Sequence, residues 1–345
     1  MKLNLALSIA IDLGTANTLA AVPEKGIIFD QPTVVARLKK KPGLASRPIA
    51  FGKKAKRMMG RQPEVIEVVE PLRHGVIADF DAAVAFLSHL VELVHQLPSH
   101  LPRLLKPKAV IGVPSGITEV EKRAVKSAAE AAGIARVFLV EEPLAAALGV
   151  GLAINKPVGN LLMDIGGGTS EIAVISLGGL VLHRCLQLGG QAMDEAIINF
   201  LRLKYGLLIG RATAEEIKIK IGSVAGLARS RSMKVPGRDL ETGLPKTIEI
   251  TELEVREALS GVIQEILANL IELLEETPPE LTNDIAKRGI VLTGGCAQLK
   301  GLEKAVAEAT KMPVWTAGQP LESVVRGGVK LLENEALLKQ LMILK

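Results

Sequence analysis

The chain has 345 residues, enough for two domains of ordinary size, each with its own core. Hydrophobic residues make up 48% but aromatics only 2%. The core must therefore be Leu, Val, Ile and Ala, and the stacking platforms of single-stranded nucleic-acid binders are lacking. The net charge of +5 is mildly basic, which permits weak attraction to anionic surfaces without demanding it.

In chain order, the N-terminal apolar run leads straight into Asp12 with no small-residue cleavage site, so it reads as a first strand. Asp12 to Thr18, DLGTANT, lies between apolar runs Leu7 to Ile11 and Leu19 to Val22: strand, Asp, Gly turn with hydroxyls, strand. Gly26 to Ala36 reads as strand and turn, punctuated by Pro32. Arg37 to Arg61 is basic, rich in Gly and Pro and poor in periodicity, and reads as a small insertion with exposed loops. Asp79 to Leu97 carries helical spacing, with Val84, Leu87, Val91 and Val94 on one stripe. Leu97 to Lys108 is a Pro-broken loop in which Leu101, Leu104 and Leu105 are unusually apolar. Ala109 to Val113 is a strand ended by Pro114. Thr118 and Glu121 form a capping box for a helix that stops at Gly133. Strand Val137 to Val140 runs into Glu141-Glu142-Pro143, and Pro143 suits the first turn of the next helix, Leu144 to Leu148. Glu142 therefore sits at a strand-to-helix junction, where side chains often enter a cleft.

The second half opens with Asp164 to Glu171, DIGGGTSE, between Leu161 to Met163 and Ile172 to Ile175. This pattern predicts a β-hairpin whose turn is nearly all backbone. Three glycines leave no side chains in the way, and their N–H groups can close around an anion such as phosphate. Asp164 places a carboxylate beside that anion, which calls for a bridging cation, and Mg²⁺ suits oxygen ligands. A tight structural hairpin with no ligand is the alternative for this stretch taken alone. Its kinship with DLGTANT tips the balance, because two Asp-led turns in different halves could grip one polyphosphate from both sides. Neither stretch fits G-x-x-x-x-G-K-[ST] or G-x-G-x-x-G.

Gly178-Gly179 then marks a turn before strand Leu180 to Leu186, and a helix is predicted over Asp194 to Tyr205. Thr213 and Glu216 read as a capping box for helix Ala214 to Ile221. Met233 to Ile250 alternates like strands, and Thr251 with Glu254 caps a long helix ending before Pro278. Ile290 to Leu292 is a strand ending in Thr293-Gly294-Gly295, and Ser323 to Leu344 is mostly helical. Cys185 and Cys296 outline neither a disulfide framework nor a metal motif, so a reducing cytoplasm is expected. The longest apolar stretch, Leu144 to Ile154, is too short to span a bilayer. The coarse reading is α/β in two similar halves, each with a smaller insertion.

Two Asp-led Gly turns, a Glu before a helix and a late TGG turn together resemble the actin and heat-shock chaperone ATPase superfamily. The closer resemblance is to the bacterial actins, the MreB family. It is carried by IDLGTANTL, GVIADF, GVPSGITEVEKRA, FLVEEPLAAALG, DIGGGTSEIAVISLG, DEAIINF and TPPELTNDIAKRGIVLTGG, and covers nearly the whole chain. DLGT and DIGGGT alone would name only the superfamily. The resemblance implies an actin-like ATPase fold of two similar α/β domains, each with a smaller inserted subdomain, and nucleotide in the cleft between. The first large subdomain would comprise 1–31, 79–150 and 320–345, with 32–78 as its small one. The second would comprise 151–185 and 251–319, with 186–250 inserted.

The same resemblance implies site roles. Gly14, Thr15, Ala16 and Asn17 would form one phosphate loop, and Gly166, Gly167 and Gly168 with Thr169 the other. Asp12 and Asp164 would hold Mg²⁺ through water. Glu215, Glu216, Ile217 and Lys218, with Gly294, Gly295, Cys296 and Ala297, would surround the nucleoside of ATP. A solvated helix face with paired charges is the bland alternative for Glu215, Glu216 and Lys218. Glu142 would position the attacking water, helped by Thr169; its bland alternative is a carboxylate favoured by a helix N-terminus. Gln191, Cys296 and His74 depart from the family's usual Asp, Gly and Asp.

Implied too are a weak Mg-dependent ATPase, self-assembly into paired protofilaments, and a cytoplasmic location on the inner face of the cell membrane. The implied partners are cell-elongation and wall-synthesis proteins, with no nucleic acid. Family members bind membranes through an apolar loop, an N-terminal amphipathic helix or both. Met1 to Leu7 is too short for such a helix, which leaves the loop with Leu97, Leu101, Leu104 and Leu105. A sugar kinase or a chaperone ATPase could share the fold. No motif for a sugar-activating Asp or a sugar pocket is found, and no substrate-binding domain follows the nucleotide domain in this sequence.

Overall fold

The first strand, β1 (Ser8–Leu13), carries buried apolar residues on both faces, the pattern of a strand inside a covered sheet. The structure is a computed structural model that describes residues 7–39, 47–97, 106–226 and 231–343. The chain divides into two units: Met1–Pro157 with Ser176–Leu180 and Glu322–Lys345, and Val158–Ile175 with Val181–Leu321.

In the first unit β1 is followed by β2 (Asn17–Val22), β3 (Gly26–Pro32), β4 (Val35–Leu38), β5 (Pro48–Phe51), α1 (Gly52–Met58), β6 (Ile66–Val69), β7 (Leu72–Arg73) and β8 (Val76–Ile77). Then come α2 (Phe80–Gln96), β9 (Lys108–Val113), α3 (Glu119–Ala131), β10 (Arg136–Glu141) and α4 (Glu142–Val150). The main sheet has the order β10-β9-β1-β2-β3, with β10, β9 and β1 parallel and β2 and β3 antiparallel. One face is covered by α2 and α3, whose Phe86, Leu87, Leu90, Val125 and Ala128 join Ile9 and Ile11 in the core. In α2, Leu87, Val91 and Val94 are buried as the spacing predicts and Val84 is half-buried. Asp79 caps that helix by accepting from the Ala82 N–H at 2.9 Å.

Within the stretch 37–61, the described portion (37–39 and 47–61) carries more secondary structure than its composition suggests. It contributes β5 and α1, and β5-β4-β6 form a small sheet. Val34, Ala36 and Ala55 make a separate small core there. A single alanine, Ala55, among Lys and Arg carries little periodic signal, which is why the helix is hard to read from sequence.

The second unit runs β11 (Asn160–Ile165), β12 (Ser170–Ser176), β13 (Gly179–Leu186), α5 (Gly190–Tyr205), β14 (Leu207–Leu208), α6 (Arg211–Ile221), β15 (Ser232–Asp239) and β16 (Pro245–Thr251). It continues with α7 (Glu252–Glu276), α8 (Pro279–Arg288), β17 (Ile290–Thr293), a 3-10 turn Gly295–Gln298, α9 (Leu302–Thr310) and β18 (Val314–Thr316). Its sheet order, β18-β17-β11-β12-β13, repeats β10-β9-β1-β2-β3 strand for strand. In both, an Asp-led antiparallel hairpin is flanked by two later strands in parallel. One continuous core joins this sheet to α5, α6 and α7, with Val255, Leu259, Ile263, Ile266, Leu270 and Leu273 as the buried stripe of α7.

Two helix starts differ from the sequence reading. Thr213 and Glu216 do not form a capping box: α6 begins at Arg211, and the Gly210 carbonyl accepts from the N–H groups of Thr213 and Ala214 at 3.1 Å each. Thr213 is thus already inside the helix. Helix α5 begins at Gly190, four residues before Asp194, after a glycine cap that gives no side-chain signal. The capping boxes at Thr118–Glu121 and Thr251–Glu254 are both present.

The chain closes the first unit with α10 (Ser323–Glu333) and α11 (Glu335–Leu341). Helix α10 covers the other face of the first sheet, where Val325 packs on Ala10, Leu19 and Ala21. It also meets α4 at backbone distance: a Cβ built on Gly149 would stand 1.8 Å from the Ser323 carbonyl oxygen. The Lys330 ammonium donates to the Leu148 carbonyl at 2.7 Å, satisfying the C-terminal end of α4.

Candidate functional site

In the first unit the parallel register aligns Asp12 of β1 with Gly112 of β9, and Gly112 with Val140 of β10. Asp12, Gly112 and Glu142 thus gather at the carboxyl ends of parallel strands, where α/β sheets bind ligands. A Cβ on Gly112 would stand 3.3 Å from Glu142 Cγ and 2.7 Å from Val324 Cγ1, so the glycine leaves the room that Glu142 occupies. Glu142 is the first residue of α4, as the strand-to-helix junction predicts.

The DLGTANT turn is tied down from below. A Cβ on Gly14 would meet the Asn17 carbonyl oxygen at 2.6 Å, so the turn needs glycine there. Thr33 Oγ1 donates to the Gly14 carbonyl at 2.7 Å, and the Thr33 N–H donates to the Ala16 carbonyl at 3.0 Å. The Thr18 and Thr33 hydroxyls are 2.9 Å apart. Thr15 Oγ1 accepts from the Gly75 N–H at 2.8 Å. Gly75 and His74 form the two-residue turn between β7 and β8, with φ of 77° and 48°. Such hairpins favour positive φ at both positions, and His enters that region more readily than most residues. This gives the His74 departure a backbone role.

In the second unit Asp164 lies at the end of β11, only 8% exposed. Burial pushes its carboxyl up to about 6, against the hydrogen bond from Thr293 Oγ1 to Oδ2 at 3.0 Å. The glycine turn closes through the Gly166 N–H to the Thr169 carbonyl at 2.9 Å. Behind it, the Gly190 N–H donates to the Gly166 carbonyl at 3.0 Å and the Gln191 N–H to the Gly167 carbonyl at 2.8 Å. Gln191, the second departure, thus contributes its backbone here. Gly294, at φ 83°, has no room for a Cβ, which would stand 2.6 Å from Asp164 Oδ1.

The nucleoside candidates separate into groups. Ile217 and Ala297 are buried in the core, which leaves only their backbones to a ligand. Glu216 is exposed and pairs with Lys220 at 2.5 Å, the solvated-face arrangement. Glu215 is half-buried. Lys218 turns inward, its Nζ 2.7 Å from the Gly190 carbonyl and 2.8 Å from Asp194 Oδ1. Cys296 Sγ donates to the Gly166 carbonyl at 3.3 Å. Burial pushes its thiol up to about 11, against the charge of Lys218, so it stays a protonated donor. Of the apolar loop, Leu97 is the half-buried C-cap of α2, and Leu101, Leu104 and Leu105 lie outside the described residues.

Sequence reading gave no role to Thr33 or Gly112, and saw Thr18, Gly75 and Asp194 only as members of the DLGTANT, GVIADF and DEAIINF motifs. Their roles have no local signal, because the groups they act on lie distant in sequence. Thr293 was visible as the first residue of the Thr293-Gly294-Gly295 turn.

Twin sheets, each with an Asp-led glycine turn after its first central strand, define the actin-like class of nucleotide-binding proteins. The MreB/Mbl protein family model matches residues 6–340. The chain is 44% identical over 325 residues to the cell shape-determining protein MreB of Escherichia coli (strain K12), covering 94% of this chain and 93% of that one. It is 44% identical over 329 residues to the cell shape-determining protein Mbl of Bacillus subtilis (strain 168), covering 95% and 96%. The crystal structure of MreB5 of Spiroplasma citri bound to ADP matches with a TM-score of 0.89 at 36% identity, covering 97% and 98%. The same protein bound to AMPPNP matches with a TM-score of 0.88. The chain belongs to the MreB/Mbl family.

Proposed function

We propose that this chain binds ATP with Mg²⁺, hydrolyses it slowly, and polymerises into membrane-associated filaments that direct wall synthesis and cell shape. The observation that carries this reading is the repeated Asp-led turn, Asp12 with Gly14 and Asp164 with Gly166 to Gly168, at equivalent places in two like-ordered sheets. The names of the relatives supply the biological direction: two are cell shape-determining proteins, and one is seen bound to ADP and AMPPNP.

The residues fit a hard cation. Asp164 is a buried carboxylate offset by one hydroxyl, an arrangement that a positive ion would relieve. Among the described residues no three His, Cys, Asp or Glu side chains cluster as a metal cage. That suits Mg²⁺, which keeps waters and phosphate oxygens as ligands and takes one or two carboxylates. Asp12 and Asp164 would hold it, and the ion supplies charge neutralisation at the phosphates. The two glycine turns cradle phosphate oxygens with backbone N–H groups, while Glu215, Gly294 and Gly295 flank the nucleoside. Glu142 orients the attacking water, with Thr169 beside the phosphate turn.

Electron microscopy of the purified protein with ATP and Mg²⁺ on anionic lipid tests this. Nucleotide-dependent filaments on the lipid are expected. Monodisperse particles that release ADP only when a sugar is added would overturn it in favour of a kinase.

A further inference from the structure

Glu252, the first residue of α7, is 3% exposed and takes no part in the chemistry proposed above. A carboxylate so buried is costly unless it is paired or hydrogen-bonded. Ser223 Oγ, itself fully buried, donates to Glu252 Oε1 at 2.7 Å. Glu252 Oε2 faces Arg231 Nε at 3.9 Å. The Arg231 carbonyl accepts from the Glu252 N–H at 2.8 Å. Its guanidinium donates to the Lys220 carbonyl at 2.5 Å and to the Gly222 carbonyl at 3.4 Å, at the C-terminal end of α6. A cation there suits the open carbonyls of a helix end.

The segment that Glu252 holds also joins a second element. Ser223 pairs with Lys300 in an isolated parallel bridge, and the Val224 N–H donates to the Lys300 carbonyl at 2.9 Å. A Cβ on Gly222 would stand 3.0 Å from Leu299 Cδ1, and one on Gly301 would stand 2.7 Å from Ala225 Cβ, so the two chains meet at backbone distance. Leu299 ends the 3-10 turn that starts at Gly295, its N–H donating to the Cys296 carbonyl at 3.0 Å. Residues 222–225 thus tie the end of α6 to the 3-10 turn, and the Glu252 carboxylate is the buried group on which they close.

We infer that Glu252 is a positioning residue for the nucleoside end of the proposed site, fixing the spacing of α6 and the 3-10 turn through Ser223 and Arg231. The inference rests on the proposed nucleotide site, in which Glu215 of α6 and Gly295 of the 3-10 turn flank the nucleoside. A pocket formed by two elements far apart in sequence binds tightly only when their spacing is already set, because any freedom between them is lost when the ligand arrives. Hydrogen bonds to a buried charged group are strong enough to set it, and removing the carboxylate leaves the Ser223 hydroxyl without its acceptor. The phosphate turn is held from behind by the N–H groups of Gly190 and Gln191 in α5, so the loss falls on the nucleoside.

The test compares Glu252→Leu, Glu252→Gln and Ser223→Ala with the unaltered protein, at a temperature where circular dichroism shows them folded. Affinity for AMP, ADP and ATP is measured with Mg²⁺ by competition with a fluorescent ATP analogue, and single-turnover hydrolysis is measured at saturating ATP. Glu252→Leu and Ser223→Ala should weaken all three nucleotides by one common factor of about five or more, the weight of a buried hydrogen bond to a charged group. Hydrolysis at saturation should stay within about twofold, since only binding common to ground and transition states is removed. Glu252→Gln keeps an oxygen for Ser223 and should recover most of the loss. Unchanged affinities in folded Glu252→Leu would overturn the inference and leave Glu252 as a stabiliser of the fold only. A loss that grows with phosphate number, or slower hydrolysis at saturating ATP, would overturn it by moving the effect to the phosphates. If Glu252→Leu does not fold, Ser223→Ala is read in the same way. Failure of the unaltered protein to bind any of the three nucleotides would refute the proposed nucleotide site itself.

Discussion

Gly327 of α10 lies so close to Ala145 of α4 that a Cβ built on the glycine would stand 1.8 Å from the Ala145 carbonyl oxygen. With Gly149 against Ser323, this makes the α4–α10 contact a backbone-to-backbone one over more than a helical turn. Helix α4 starts with Glu142, so the contact also fixes where that carboxylate stands. Gly327→Ala should destabilise the protein by about 3 kcal/mol, the upper part of the usual overpacking range, because a carbonyl cannot step aside as a side chain can. The midpoint of urea unfolding measures this. A midpoint unchanged from the unaltered protein would show that the helices separate without cost.

Glu142→Ala should leave ATP binding intact and slow phosphate release by roughly 10² to 10⁴-fold, the usual weight of a positioned base. Single-turnover hydrolysis with saturating ATP checks it. Hydrolysis at the unaltered rate, with binding preserved, would remove Glu142 from the proposed chemistry.

Glu254 offers a pH test of the second unit. Burial alone would raise its carboxyl, but the Tyr205 hydroxyl, the Thr251 N–H and hydroxyl and the Lys204 ammonium outweigh that and hold it at about 2. A folded pKa below the unfolded one gives stability that is fully present above about pH 4.5 and is lost as pH falls towards 2. Glu254→Gln should therefore cost roughly 2 kcal/mol at neutral pH. Melting curves of both proteins from pH 7 to pH 2 should converge in the acid range. A gap that stays constant with pH would mean that the loss comes from packing and not from the carboxylate.

The apolar loop is testable in the same spirit. Leu104→Ser with Leu105→Ser should preserve ATP-driven assembly and abolish co-sedimentation with anionic liposomes. Each buried leucine contributes about 1.5–3 kcal/mol at most, so one loop binds reversibly, and a filament that repeats it binds firmly. A drop in melting temperature with lipid binding retained would instead place these leucines in the core of their own unit.

What was legible in the sequence was local. DIGGGTSE announces its hairpin because the glycines and flanking apolar runs lie within a few residues. The same is true of the capping boxes at Thr118 and Thr251, whose partners sit three positions on. Thr213 and Glu216 show the limit, since the same spacing occurs inside a helix that the Gly210 backbone already starts. The long-range contacts that support the site were not legible. Thr33 reaches back to Gly14 over 19 positions, and Thr293 reaches Asp164 over 129. Lys218 carries the spacing of an exposed helix face, and only the arrival of α5 beside it turns that lysine inward.

The most direct measurement is equilibrium ATP binding with and without Mg²⁺, in the unaltered protein and in Asp164→Asn. Asparagine keeps the shape and can still accept from Thr293, but it removes the buried charge that draws the cation. Tight binding that depends on Mg²⁺ is expected in the unaltered protein, with most of that dependence gone in the variant. If both proteins bind ATP equally well, with and without Mg²⁺, Asp164 is only structural and the metal-assisted nucleotide site does not exist as proposed.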